Sequence, residues 1–178
     1  MSEYGVVTAP QTVRFERLLP GPIERVWSYL TESEKRGTWL ASGEVDLREG
    51  GRVEHIFRNA TLTKDDEGPP AKYAHEAAEV RTEGRITACD PPHLLAHTWP
   101  EPSGPESHVT YELSEQGDRV LLVLTHRRLA TRDDVVGVSG GWHTHLGILA
   151  ARLEGREPEG FWATFKRVDA EYERRVPA

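Results

Sequence analysis

The chain has a single cysteine, Cys89, in 178 residues. One thiol cannot close an intramolecular disulfide, and a lone thiol is the usage expected of a reducing cytoplasm. Basic charge is also in deficit, with 22 Lys and Arg against 29 Asp and Glu, a formal net charge of −7. Apart from Arg174-Arg175 there is no dense basic run, so the concentrated positive face that phosphate binding requires is missing, and nucleic acid is excluded as the main partner. Long apolar runs are missing too. No stretch approaches the ~20 consecutive apolar residues of a spanning helix. The first residues, Met1-Ser2-Glu3-Tyr4-Gly5-Val6-Val7, carry an acid where a secretory signal carries a base. The expectation is a cytoplasmic protein with no membrane span. There is no internal repeat and no second composition regime. One domain over residues 1–178 is expected, with a core at about 12–154 and a C-terminal helical extension at 155–178.

What is present is a run of strand-like segments followed by one long helical pattern. Thr12 to Leu18 alternates with period two and is closed by Pro20-Gly21-Pro22, which predicts a strand. Pro22 stands where a helix can begin, Glu24 suits its first turn, and Ile23, Val26, Trp27 and Leu30 form its apolar face. Thr31 is placed to cap a second short helical piece that stops at Gly37. Gly43 to Leu47 reads as a short strand and Arg52 to Arg58 as another, with Val53, His55 and Phe57 on one face. Leu62 to Lys72, with Asp65-Asp66-Glu67 inside it, reads as a mobile, solvated acidic loop. Further strands follow at Glu76 to Thr87 and at His93 to Trp99, the latter with Leu95, His97 and Trp99 on one face and stopped by Pro100, Pro102 and Pro105. Val109, Tyr111 and Leu113 alternate in the next. In Arg119 to His126, period two cannot say whether Leu122, Leu124 and His126 or Leu121, Val123 and Thr125 point inward. The last helix begins near Asp133 or Ser139. Trp142, Leu146, Leu149 and Leu153 stack on one of its faces, with His145 and Ile148 flanking. The pattern breaks around Gly155 to Gly160 and resumes through Phe161, Trp162, Phe165, Val168 and Tyr172, an aromatic tail that either packs back on the domain or makes a homodimer contact.

Several segments, taken in order, resemble the Hsp90 ATPase activator homologue (AHSA1-like) family of the START/Bet v 1-like (SRPBCC) superfamily. They are Pro22 to Leu30 with Trp39-Leu40, Asp46-Leu47-Arg48-Glu49-Gly50-Gly51, Pro91 to Trp99, Leu122 to His126, and Gly141 to Leu146. The resemblance implies an α+β helix-grip fold, a curved antiparallel sheet wrapped around a long C-terminal helix with an apolar cavity between them. It implies binding of a small hydrophobic ligand, and as alternatives a chaperone ATPase activator, acting through a protein partner, or a polyketide-cyclase-like enzyme.

The residues expected to line that cavity are Trp39, His55, Phe57, His97, Trp99, Tyr111, His126, Trp142, His145, Leu146 and Leu149. The opposing reading is that these aromatics simply fill the core. Burial lowers a histidine's pKa and leaves a neutral imidazole, so a general-base role is physically allowed for His97, His126 or His145. No carboxylate at a fixed spacing orients them and no Ser or Cys nucleophile accompanies them in the sequence, so no catalytic residue is assigned. His143 and His145 point about 200° apart on a helix, which argues against a metal pair. Gly140-Gly141 lacks the Lys-Ser/Thr of a phosphate loop and is expected to let the helix start lie close to the sheet. No cofactor and no metal are predicted.

Overall fold

A computed structural model of the chain describes residues 1–64, 67–101 and 104–178. The period-two segments pair as one seven-stranded antiparallel sheet: β1 (Val6–Ala9), β2 (Thr12–Pro20), β3 (Arg52–Phe57), β4 (Val80–Asp90), β5 (Leu94–Trp99), β6 (Ser107–Gln116) and β7 (Arg119–Arg127). Their spatial order is β1-β2-β7-β6-β5-β4-β3, so the chain closes β2 against β7 and leaves β1 and β3 as edges. Helices α1 (Ile23–Thr31) and α2 (Ser33–Arg36) lie in the crossover between β2 and β3, and α3 (Arg132–Leu153) and α4 (Phe161–Arg175) follow the last strand.

The sheet resolves the ambiguity of β7. Val120, Leu122, Leu124 and His126 are all buried, and Leu121, Val123 and Thr125 lie on the opposite face. Against the buried face packs α3, with Leu146 and Leu149 fully buried and Trp142 and Leu153 nearly so. The opposite side of α3 is buried as well. Phe161, Trp162, Phe165, Val168 and Tyr172 of α4 pack along it and are at most 4% exposed. The aromatic tail therefore folds back within the chain, and its apolar face is not left for a second copy. This explains why α3 reads as only partly amphipathic: His143, Thr144 and Ala151, off the expected stripe, are buried by α4 and its approach.

Several expected boundaries shift. β1 was not expected. Gly43 to Leu47 is not a strand but two isolated bridges, Ser42 to Ile56 and Val45 to Val53. The segment is held instead by Arg36, which is 2% exposed and donates to the carbonyl oxygens of Ala41 (2.8 Å), Ser42 (3.1 Å), Gly43 (3.0 Å) and Glu54 (2.5 Å). The Ser42 carbonyl accepts from the Ile56 N–H as well as from Arg36, whereas the Gly43 N–H is taken by Ser33 Oγ at 2.9 Å and is lost to any ladder. Thr31 does not cap α2. It ends α1, and its hydroxyl donates back to the Trp27 carbonyl at 2.9 Å. The segment before β4 is a 3₁₀ turn, Ala71–Ala77, and β4 begins only at Val80 rather than Glu76.

α3 begins earlier than its apolar stripe. Thr131 caps it, accepting from the Asp134 N–H while the Asp134 side chain accepts from the Thr131 N–H, a complete capping box. Gly140 and Gly141 thus sit inside the helix, not at its start. A Cβ on Gly140 would lie 3.2 Å from the Phe165 ring, so this glycine serves the close approach of α4 rather than of the sheet. Asp65, Asp66 and Pro102, expected in the acidic loop and the strand stop, lie outside the described residues. Glu67 of that loop pairs with Lys166 of α4 at 2.7 Å.

Candidate functional site

Between the open end of the sheet and the middle of α3 is a cavity of about 230 Å³. Its apolar walls come from Leu40, Phe57, Val80, Trp99, Pro100, Val138 and Trp142, and its polar groups from Asn59, His75, Glu76, Thr82, Glu101, His126 and His145. Gly141 completes the α3 side. An added Cβ there would meet nothing within 4 Å, because it would point into the void.

Phe57, Trp99, His126, Trp142 and His145, five of the sequence-predicted residues, meet at this wall. Their rings form a continuous cluster of tilted and edge-on contacts: Trp99 lies 5.3 Å from Trp142, 5.7 Å from His126 and 5.9 Å from Phe57, and Phe57 lies 6.3 Å from His145. The other six do not line it. His55 and His97 form a layer beneath Trp99, at 5.0 and 6.1 Å between ring centres, and Tyr111 packs edge-on to Trp142 at 6.0 Å. Trp39, Leu146 and Leu149 are fully buried in the core, the Trp39 N–H donating to the Tyr29 carbonyl at 2.7 Å.

The histidines have defined tautomers. Indole N–H groups only donate, so the 2.9 Å bond from Trp142 Nε1 to His126 Nδ1 leaves the imidazole proton on Nε2. His126 Nε2 then donates to Ser107 Oγ at 2.6 Å, and the Ser107 hydroxyl donates to Glu101 Oε1. Four residues form one chain of donors running from the helix, across β7 and β6, to a carboxylate on the cavity wall. Carbonyl oxygens only accept, so His145 Nδ1 donates to the Trp39 carbonyl at 2.8 Å and its Nε2 is bare. Burial holds His126 at about 3 and His145 at about 4, so both are neutral at neutral pH. Burial pushes Glu101 upward, a shift opposed by the Ser107 hydrogen bond, and pushes Glu76 upward as well.

Ser107 and Glu101 escaped sequence reasoning, and they reverse the view that no hydroxyl or carboxylate accompanies the histidines. Val109 lies opposite His126 in the β6–β7 register, so Ser107, two residues before Val109 on the same face, is its diagonal neighbour. Extending the alternation of Val109, Tyr111 and Leu113 back by one step exposes Ser107. Nothing local marks Glu101, which reaches the site from the connection after β5. The polarity of the chain also matters chemically. His126 gives its proton toward Ser107, so this arrangement does not activate the serine as a nucleophile. Among the described residues no group of three His, Cys, Asp or Glu is placed to hold a metal ion. No helix among the described residues is long and apolar enough to cross a membrane.

The comparisons agree with this geometry. A family model described as "Activator of Hsp90 ATPase homolog 1-like protein" matches residues 20–154. The chain belongs to that family. A Bordetella parapertussis protein solved by NMR is 44% identical, with 98% of this chain and 91% of that one covered and a TM-score of 0.83. CalU16 from Micromonospora echinospora is 23% identical over 94% of this chain and 89% of its own, with a TM-score of 0.69. DynU16, from the dynemicin biosynthetic locus, is 19% identical over 83% of this chain and 49% of its own, with a TM-score of 0.63. No curated protein is matched. The fold is the α+β helix-grip fold of the Bet v 1-like proteins, and α3 is the gripped helix.

Proposed function

We propose that this chain, acting as one domain in the cytoplasm, binds a small, mainly hydrophobic molecule in the cavity between the sheet and α3. The observation that carries the reading is the cavity itself, about 230 Å³ of space faced by Phe57, Trp99 and Trp142 rather than filled by them. An engineered apolar cavity of roughly 150 Å³ holds benzene, so this one has room for a fused bicyclic body. Family membership supports the reading, because the fold leaves such a space beside its long helix. Displacement of a solvatochromic dye, followed by native mass spectrometry of the displacing compound, tests it. Retention of the dye signal in a variant whose cavity is filled would overturn it.

The family description supports a second reading, in which the protein acts on an Hsp90-type chaperone through its surface. That reading requires measurable binding to the chaperone and stimulation of its ATPase, and absence of both removes it. A cyclase-like activity is a third, supported by the carboxylate on the cavity wall. It requires a turnover that disappears in Glu101→Gln while ligand binding persists.

A further inference from the structure

The hydrogen-bonding character of the cavity says what kind of hydrophobic molecule it takes. Most donors at its polar end are used up inside the protein, the exceptions among the described residues being the Thr82 hydroxyl and the exposed His75 ring at the rim. Trp142 donates to His126, His126 to Ser107, and Ser107 to Glu101. Asn59 Nδ2 donates to Glu76 Oε2 at 3.2 Å, and His145 Nδ1 donates to the Trp39 carbonyl. Apart from Thr82 and His75, what remains is a set of acceptors. Glu101 and Glu76 are carboxylates on the wall, His145 Nε2 is a bare imidazole nitrogen, and Oδ1 of Asn59, a residue 5% exposed, has no partner among the described residues. The charge is one-sided as well. No Lys or Arg lines the cavity among the described residues, and the guanidinium of Arg36 is occupied by backbone carbonyls away from this wall.

Resting on the cavity reading above, we infer that the ligand is an organic cation, an apolar body carrying a protonated amine. The ammonium group sits against Glu101 and Asn59 and under the faces of Trp99 and Trp142. An ammonium supplies N–H donors to His145 Nε2 and Asn59 Oδ1, and further ones to the two carboxylates, each of which accepts a single bond from the protein. It neutralises carboxylates that burial otherwise penalises, and it is attracted to indole faces, an interaction that strengthens in a desolvated site. An anionic ligand would meet two acids, with only the Thr82 hydroxyl and the His75 ring at the exposed rim to donate to it. A neutral alcohol could satisfy one acceptor and no charge.

The test is a matched probe set of 2-naphthylmethylamine as its ammonium ion, 2-naphthalenemethanol and 2-naphthoate, each titrated by calorimetry at neutral pH. The ammonium probe is expected to bind at least about tenfold tighter than the alcohol, with naphthoate weakest. Glu101→Gln, which keeps an oxygen to accept from Ser107, is expected to remove most of the ammonium preference and leave the alcohol's affinity unchanged. Should that variant melt early by circular dichroism, Glu76→Gln on the more exposed rim provides the same comparison. Equal or tighter binding of the alcohol or naphthoate to the unaltered protein overturns the cation inference and leaves the hydrophobic-cavity reading intact. Failure of all three probes to bind overturns both.

Discussion

Trp142 Nε1 and His126 Nδ1 stand 2.9 Å apart, and this bond between the long helix and β7 sets the direction of every hydrogen bond that follows it. Because the indole can only donate, the imidazole must carry its proton on Nε2, and the chain through Ser107 ends on Glu101. The tautomer is directly observable. Long-range proton–nitrogen NMR is expected to show His126 as a neutral Nε2–H imidazole, with no titration between pH 8 and pH 5. In Trp142→Phe the donor is lost, and a mixture of tautomers, or the Nδ1–H form, is the expected signature.

The buried histidines make the protein acid-sensitive. His97 and His145 are lowered by burial from 6.5 to about 4, and His126 to about 3. His55 is lowered well below its ordinary value by the same cause. The folded state therefore binds fewer protons than the unfolded chain between about pH 6.5 and pH 4, and stability falls as pH drops through that window. Each such histidine costs roughly 1.4 kcal/mol per pH unit once the unfolded form is protonated. Three of them at pH 5 remove about 6 kcal/mol, comparable to the whole stability of a typical domain. Urea midpoints should be flat above pH 7 and fall steeply below pH 6. A flat profile down to pH 4.5 would contradict this.

Gly141 gives a way to close the cavity without disturbing the core. A side chain there meets open space, and helical alanine is favoured over glycine by about 1 kcal/mol. Gly141→Ala is expected to raise thermal stability slightly. Gly141→Leu should hold stability within about 1 kcal/mol while abolishing dye binding, because the isobutyl group enters the ligand space. Gly140→Ala, facing the Phe165 ring at 3.2 Å, should instead destabilise. Thermal melts and dye titrations of the three variants separate these effects.

Arg36 holds the loop between α2 and β3 by four carbonyl bonds. Lysine has a point charge in place of the planar fork and cannot reach all four oxygens, so Arg36→Lys should cost about 3 kcal/mol or more. By comparison, Arg52→Lys, at an exposed ion pair with Glu83, should change stability by less than about 0.5 kcal/mol. Denaturant unfolding of both variants checks the ranking.

The helix face also makes a definite prediction. Leu146 is fully buried against the sheet, and Leu146→Lys should prevent folding through an unpaired buried charge. Arg152, half-buried, donates to the carbonyls of Leu62 at 2.8 Å and Thr38 at 3.3 Å, so Arg152→Ala should cost about 2 kcal/mol and leave the fold intact. Soluble yield and thermal melts of the two variants decide between this packing and a helix rotated to its other face.

Sequence periodicity located six of the seven strands and the long helix, missed β1, and placed at Gly43 to Leu47 a strand that is only two bridges. The located elements follow from side-chain spacing of two on a strand and 3.6 on a helix, which is local information. Phe57, Trp99, Trp142 and His145 were therefore legible before any coordinates. The inward face of β7 was not, because both of its alternating sets are apolar. Nor was the burial of α3 on both sides, which depends on α4 returning along it. The tertiary structure alone decided that Trp39, His55, His97, Tyr111, Leu146 and Leu149 lie behind the cavity rather than on it. It also brought Glu101 and Ser107 to His126. Those positions are set by strand register and loop path, and contacts between distant segments have no local signature in the chain.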